Sequence, residues 1–149
     1  MRSHRLKAIL IAMVTAALMF APLHGWAATT NISPASSNYH ILTFSIGKQY
    51  TATTAGVVRF AMPYPARLVT VQATARASGG TTPTLTVDVL EAGTTVLSSA
   101  ISITAGTVSE ATISDAEIAD EAVVTVDLTI GGTNPTWDDI TVVMVIRRH

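Results

Sequence analysis

Hydrophobic and polar positions alternate with a period of two in several stretches of this chain, most clearly over residues 84–103. Leu85, Val87 and Val89 point one way there, and Thr84, Thr86 and Asp88 point the other. Such a period belongs to a strand with one dry face and one wet face. Glu91-Ala92-Gly93-Thr94 follows, in which Gly93 supplies the positive φ of a tight reversal. Val96, Leu97, Ile101 and Ile103 then carry the chain back, so the stretch reads as a hairpin.

The same pattern places further strands. Over 39–46, Leu42, Phe44 and Ile46 oppose Ile41, Thr43 and Ser45; over 56–62, Val58, Phe60 and Met62 point inward. Pro63-Tyr64-Pro65 ends the second of these, because proline donates nothing to a ladder. Residues 67–77 give a third strand with Val69, Val71, Ala73, Ala75 and Ala77 on its apolar face. Residues 78–83, Ser-Gly-Gly-Thr-Thr-Pro, read as a loop. Beyond the hairpin, 107–113 is a short strand, and 114–122 reads as a turn or two of helix with Ser114 and Glu117 in capping-box spacing. Residues 123–130 form another strand, and Gly131-Gly132-Thr133-Asn134-Pro135 turns the chain. The last strand, 139–147, has Ile140, Val142, Met144 and Ile146 on one face and Val143 and Val145 on the other. A strand apolar on both faces is central in its sheet or covered by a neighbouring subunit. Thr86-Val87-Asp88-Val89 before Gly93-Thr94 is echoed by Thr125-Val126-Asp127-Leu128 before Gly132-Thr133. Seven or eight strands without a long amphipathic helix predict an all-β fold, an antiparallel β-sandwich of jelly-roll type.

The first 27 residues follow a different pattern. Arg2, Arg5 and Lys7 precede an apolar run over 8–21, and Gly25-Trp26-Ala27 offers small residues at a cleavage site. This is the three-part layout of a secretory signal peptide, its hydrophobic helix too short for the roughly 20 residues of a membrane span. Residues 28–38 read as a flexible leader and 39–149 as the β domain. An uncleaved leader is the one route to a membrane that the sequence offers. Cleavage would remove three of the 9 basic residues and none of the 10 acidic ones, leaving the domain near −4. That balance argues against nucleic acid as a partner. With 0 cysteines, disulfides and thiolate metal sites are excluded.

Candidate chemistry is sparse. Glu110, Asp115, Glu117, Asp120 and Glu121 concentrate carboxylates enough to suggest Ca²⁺, with Asp115, Glu117, Asp120 and Glu121 as ligands; the spacing matches no EF-hand, and solubilising charge explains it equally. Beyond the signal segment only His40 and His149 remain, and no nucleophile elbow or zinc-protease helix is present, so the protein is expected not to be an enzyme and to need no cofactor. Sugar binding needs exposed aromatic rings; Trp137 and Tyr64 are the candidates, with core packing the competing role for Trp137.

From Phe60 to Arg147, about three-fifths of the chain, the sequence resembles the jelly-roll domains of tailed-phage virion proteins, the head decoration, fibre and spike modules. The likeness rests on Phe60-x-Met62-Pro63-x-Pro65, Leu68-Val69-Thr70-Val71, Leu85-Thr86-Val87-Asp88-Val89 leading to Gly93-Thr94, and Val124-Thr125-Val126-Asp127-Leu128 before Gly132. It departs where such domains carry Gly-Asp and this chain has Ala119-Asp120-Glu121-Ala122, and in its signal peptide. The resemblance implies a structural protein of the virion that forms homotrimers and contacts a capsid or fibre protein. Val143 and Val145 then become subunit contacts, as does the Ala-rich face of the third strand. The alternative is an exported binding module, carbohydrate-binding or adhesin-like, of the periplasm or cell exterior, which the signal peptide favours.

Overall fold

The computed structural model describes residues 38–149; the expected signal peptide and all of the leader before Asn38 lie outside the described residues. Eight strands form one antiparallel sheet, with no helix among the described residues: β1 (Tyr39–Ile46), β2 (Thr54–Ala61), β3 (Ala66–Glu91), β4 (Thr94–Thr95), β5 (Ile101–Ser102), β6 (Val108–Glu110), β7 (Glu117–Ile118) and β8 (Val123–Arg148). β3 and β8, 26 residues each, pair with one another from Ala66↔Arg148 to Glu91↔Val124. All other strands flank this ribbon. β1 joins the C-terminal half of β8, and β6 and β7 join the N-terminal half of β3. β2 joins the N-terminal half of β8, while β4 and β5 join the C-terminal half of β3. The residues apolar on both faces, 139–147, therefore sit in a strand flanked on both sides, between β1 and β3.

Alternation decides which side of the ribbon is buried. Val71, Ala73 and Ala75 in one half and Leu85, Val87 and Val89 in the other turn inward, as do Val124, Val126, Leu128, Ile140, Val142, Met144 and Ile146 on β8. All belong to one hydrophobic cluster, so the sheet curls to let its two halves share a core. Burying each Val, Leu or Ile is worth roughly 1.5–3 kcal/mol. A slip of one residue would exchange this set for the mostly polar residues between them, among them Gln72, Asp88 and Asp127, which is why the register holds.

Two segments that read as loops are strand instead. Residues 78–83 and 131–135 pair across the ribbon through Ser78↔Trp137, Gly79↔Thr136, Thr81↔Thr133 and Thr84↔Gly131, with register shifts on either side of Thr81. Gly80, Thr82, Gly132 and Asn134 all adopt positive φ there. Gly- and Pro-rich composition marks a bulged bend here, since a β-bulge kinks its strand and raises its twist. A Cβ on Gly80 would collide with the carbonyl oxygen of Asn134, and one on Gly132 would lie 2.6 Å from that of Thr82.

The hairpin forms as the sequence indicates, with Leu90↔Thr95 and Glu91↔Thr94 closing it. Ala92 and Gly93 both take positive φ, the two-residue turn that matches strand twist. The expected helix over 114–122 is absent. Its backbone groups find partners across the chain: Leu68 N–H donates to Ala116 O, Met62 N–H to Ala122 O, and both Ser114 and Asp115 N–H to Val96 O. Those tertiary bonds outweigh a helix too short to stabilise itself. A second correction concerns β3. Val69 is the extra residue of a bulge between Leu68 and Thr70, so Leu68 rather than Val69 enters the core and Val69 faces out.

Gly80→Ala is expected to cost about 3 kcal/mol, adding overpacking against backbone to a positive φ. Gly93→Ala, where a Cβ meets nothing within 4 Å, is expected to cost only about 1 kcal/mol. Urea denaturation of the two variants measures the difference, and equal losses would contradict a tightly packed bend.

Candidate functional site

The outer face of the half-sheet built from β1, β8, β3 and β6 carries an apolar surface. The inward turn of Ile140, Val142, Met144 and Ile146 sends Val143 and Val145 outward on β8, where both are half-buried. Val145 lies between Ile41 on β1 and Thr70 on β3, and Val143 lies between Thr43 and Gln72 in the same way. Val69 reaches this face through its bulge, and Val108 reaches it opposite Thr74. The exposed large hydrophobic residues of the described chain are Tyr39 (51%), Ile41 (69%), Val69 (44%) and Val108 (67%), and all four lie here. Scattered exposed hydrophobics are ordinary, but a contiguous group signals an interaction surface. Gln72, Thr74, Val108, Thr141 and Val143 line a shallow groove of about 90 Å³ within it. Of these residues sequence reasoning singled out Val143 and Val145. It missed Ile41 and Val108, although Ile41 already stood among polar residues on the outward side of β1.

The acidic residues do not converge. Asp115 Oδ1 accepts from Glu117 N–H at 3.2 Å, a local turn contact. Glu117 is shared between Arg67 Nη1 at 3.6 Å and His149 Nε2 at 2.6 Å. Asp120 and Glu121 are exposed, with Glu121 in a positive-φ turn. Among the described residues no three His, Cys, Asp or Glu side chains are grouped so as to hold a metal ion. Elsewhere on the surface Arg76 Nε donates to Asp139 Oδ2, and that hydrogen bond, with the carboxylate's charge, raises the guanidinium pKa above its ordinary value.

The aromatic candidates are committed to the fold. Trp137 is 2% exposed and exchanges backbone hydrogen bonds of 2.9 Å with Tyr50, so its ring is in the core and not on a rim. Among the described residues its Nε1–H finds no acceptor. Tyr64 is half-buried, with the Arg148 guanidinium 4.7 Å above its ring and His40 tilted against it at 6.0 Å.

The other half of the sheet presents a polar outer face. The echoed sequences prove to be cross-strand partners there, with Thr86↔Thr129, Asp88↔Asp127 and Leu90↔Thr125 in register. Asp88 Oδ1 accepts from Val89 N–H at 2.8 Å and Thr95 Oγ1–H at 2.6 Å. Asp127 Oδ1 accepts from Gly56 N–H at 2.7 Å. Two carboxylates directly opposite one another repel, and each is held by its own donors.

No protein-family model matches the chain, and no curated protein matches it. A chain in the structure of infectious bursal disease virus Gx strain is similar, at 12% identity and a TM-score of 0.42, over 74% of this chain and 32% of that one. This chain therefore spans about a third of the length of the viral chain it matches.

Asp127→Asn keeps an oxygen for Gly56 N–H while removing one of the opposed charges. It is expected to raise stability by about 0.5 kcal/mol at pH 7 and low salt. Thermal unfolding with and without added salt measures it, and a loss of stability would show that the carboxylate's own hydrogen bond outweighs the repulsion.

Proposed function

We propose that this protein is a non-catalytic structural module that displays surface and assembles with copies of itself, and that its curled sheet is a jelly-roll sandwich. The wiring supports the fold. Taking β3 and β8 each as two strands joined at the bulged bend, one set of four runs β1, late β8, early β3, β6 with β7. The other runs β2, early β8, late β3, β4 with β5. Two four-stranded layers wound from one folded ribbon are the jelly-roll arrangement.

The observation that carries the assembly reading is the gathering of Tyr39, Ile41, Val69 and Val108 around Val143 and Val145 on a single outer face. A monomer that kept this face in water would forgo the burial free energy of that surface. The resemblance to phage decoration, fibre and spike domains extends the proposal to a homotrimer on a virion, in contact with a capsid or fibre protein. The competing reading, an exported carbohydrate-binding module, loses support because the Trp137 ring is buried and Arg148 covers Tyr64. Where the chain acts is part of the same proposal: on a virion if the phage resemblance holds, outside the cytoplasm if residues 1–27 are used as a signal.

The double variant Val143→Ser/Val145→Ser is expected to break the contact through this face and lower the assembled mass while keeping a folded β domain, since both side chains are outside the core. Native mass spectrometry of the full-length protein from a Gram-negative host, with circular dichroism as the folding control, makes the test. The same spectrum reports whether residues 1–27 are removed. An oligomer of unchanged mass would rule out this face as the contact.

A further inference from the structure

The free edges of the sheet are not protected alike. β2 edges one half, and it is interrupted by a register shift between Thr54 and Val58, by Gly56 and by the charge of Arg59. Its entry is also latched from the side, because Thr53 Oγ1 accepts from Ile130 N–H at 3.0 Å. β4, β5 and β7 are two residues long and β6 is three, too short to template another strand. These are the usual defences of a sheet edge. β1 has none of them. It runs for eight residues, Tyr-His-Ile-Leu-Thr-Phe-Ser-Ile, without Pro, Gly, Asp, Glu, Lys or Arg, and pairs with β8 in unbroken register.

Which of its backbone groups are unpaired follows from one hydrogen bond. Arg148 N–H donates to Asn38 O at 2.8 Å, which makes Asn38 and Arg148 a hydrogen-bonded pair. Antiparallel pairs alternate between bonded and non-bonded. His40, Leu42, Phe44 and Ile46 therefore bond to β8, and the N–H and C=O groups of Tyr39, Ile41, Thr43 and Ser45 point to the open edge. Among the described residues nothing pairs with them.

We infer that this edge is occupied by β1 of a second copy, the two strands running antiparallel about a twofold axis so that one sheet continues through both subunits. A self-pairing strand meets its own side chains, so any fixed charge risks facing a like charge. β1 carries no Asp, Glu, Lys or Arg to do so. A register centred on Leu42 or Thr43 keeps core-facing residues opposite core-facing ones; centred on Leu42 it brings all of Tyr39, Ile41, Thr43 and Ser45 of each copy together as bonded pairs, and centred on Thr43 it does so for Ile41, Thr43 and Ser45. Centred on Thr43, it sets Leu42 against Phe44 and Thr43 against Thr43 of the second copy. The same bond from Arg148 to Asn38 shows the ladder of β1 continuing through Asn38. This contact deepens the proposed self-assembly and rests on it, but it uses an edge, not the face that carries Val143 and Val145: where the face joins copies into a trimer, the twofold edge joins one trimer to another.

Amide hydrogen exchange on the full-length chain across a dilution series, read together with native mass, tests the inference. Expected are protection of the Ile41, Thr43 and Ser45 amides that disappears on dilution, and an assembled mass that halves in Thr43→Pro. That proline removes an outward N–H and no bond to β8, as edge prolines do. Ile41→Lys, which leaves the backbone intact, is expected to weaken the same contact by about tenfold or more. Protection that persists in a monomer would mean that residues 1–37 cover the edge, and it would overturn the inference. Rapid exchange of these amides within a persisting oligomer would also overturn it while leaving the assembly reading in place. A chain that is monomeric at every concentration would remove both.

Discussion

Paired backbone groups must stay paired while the chain changes direction, and the architecture depends on how this is done at the middle of β3 and β8. A 26-residue antiparallel ribbon is far longer than an ordinary strand pair, and a straight one would leave its apolar side open to water. Here the two strands bend together. Gly80 and Gly132 let one backbone press against the other, and positive φ at Thr82 and Asn134 absorbs the extra residues. Pairing resumes beyond the bend with Leu85, Val87 and Val89 turned toward the cluster that Val71, Ala73 and Ala75 also enter. The flanking strands add width to each half, but the shared core exists because the ribbon folds without losing its ladder.

Much of this was legible in the sequence because a strand with one buried face writes itself as alternation. The two faces of β1 and of residues 139–147 emerge as read, as does the hairpin, and Gly93 marks its turn. What was not legible shares a cause: local composition carries no record of distant pairing. Gly and Pro at 79–83 and 131–135 are as suitable for a bulge inside a ladder as for a loop between strands, and only the partner strand distinguishes the two. The parity change at Val69 is hidden likewise, since Leu68, Val69 and Val71 are all apolar and one inserted residue moves between faces unseen. Ser114 and Glu117 have capping-box spacing, yet Val96 and Leu68 claim the neighbouring backbone groups. At the candidate site Val143 and Val145 could be read because they make their strand apolar on both faces, whereas Val108 gains its meaning only from lying opposite Thr74 on another strand.

The two outer faces show what the core does not require. Both cover the same cluster, so burial inside imposes the same alternation on each, and the outward residues are free to differ. On one half they include Thr86, Asp88, Thr125, Asp127 and Thr129, with Leu90 the apolar exception, and this mostly polar set hydrates well and tolerates two opposed carboxylates at a small cost. On the other they include Ile41, Val69, Val108, Val143 and Val145, which gain nothing from water. Folding alone gives no reason for that asymmetry, since exchanging these residues for Thr would leave the inner face as it is. The self-assembly proposed above would supply the reason.

Face and edge supply different terms to such an association. Apolar contact is non-directional: it draws surfaces together without fixing how they are turned. A row of unpaired N–H and C=O groups is the opposite, weak in net free energy because water already satisfies it, but strict about distance, direction and register. The outer face of β1, β8, β3 and β6 ends at the open edge of β1, and Ile41 belongs to both, its side chain in the apolar group and its backbone on the unpaired row. One strand thus offers driving force on one side and geometry on the other. The self-assembly proposed above would need both.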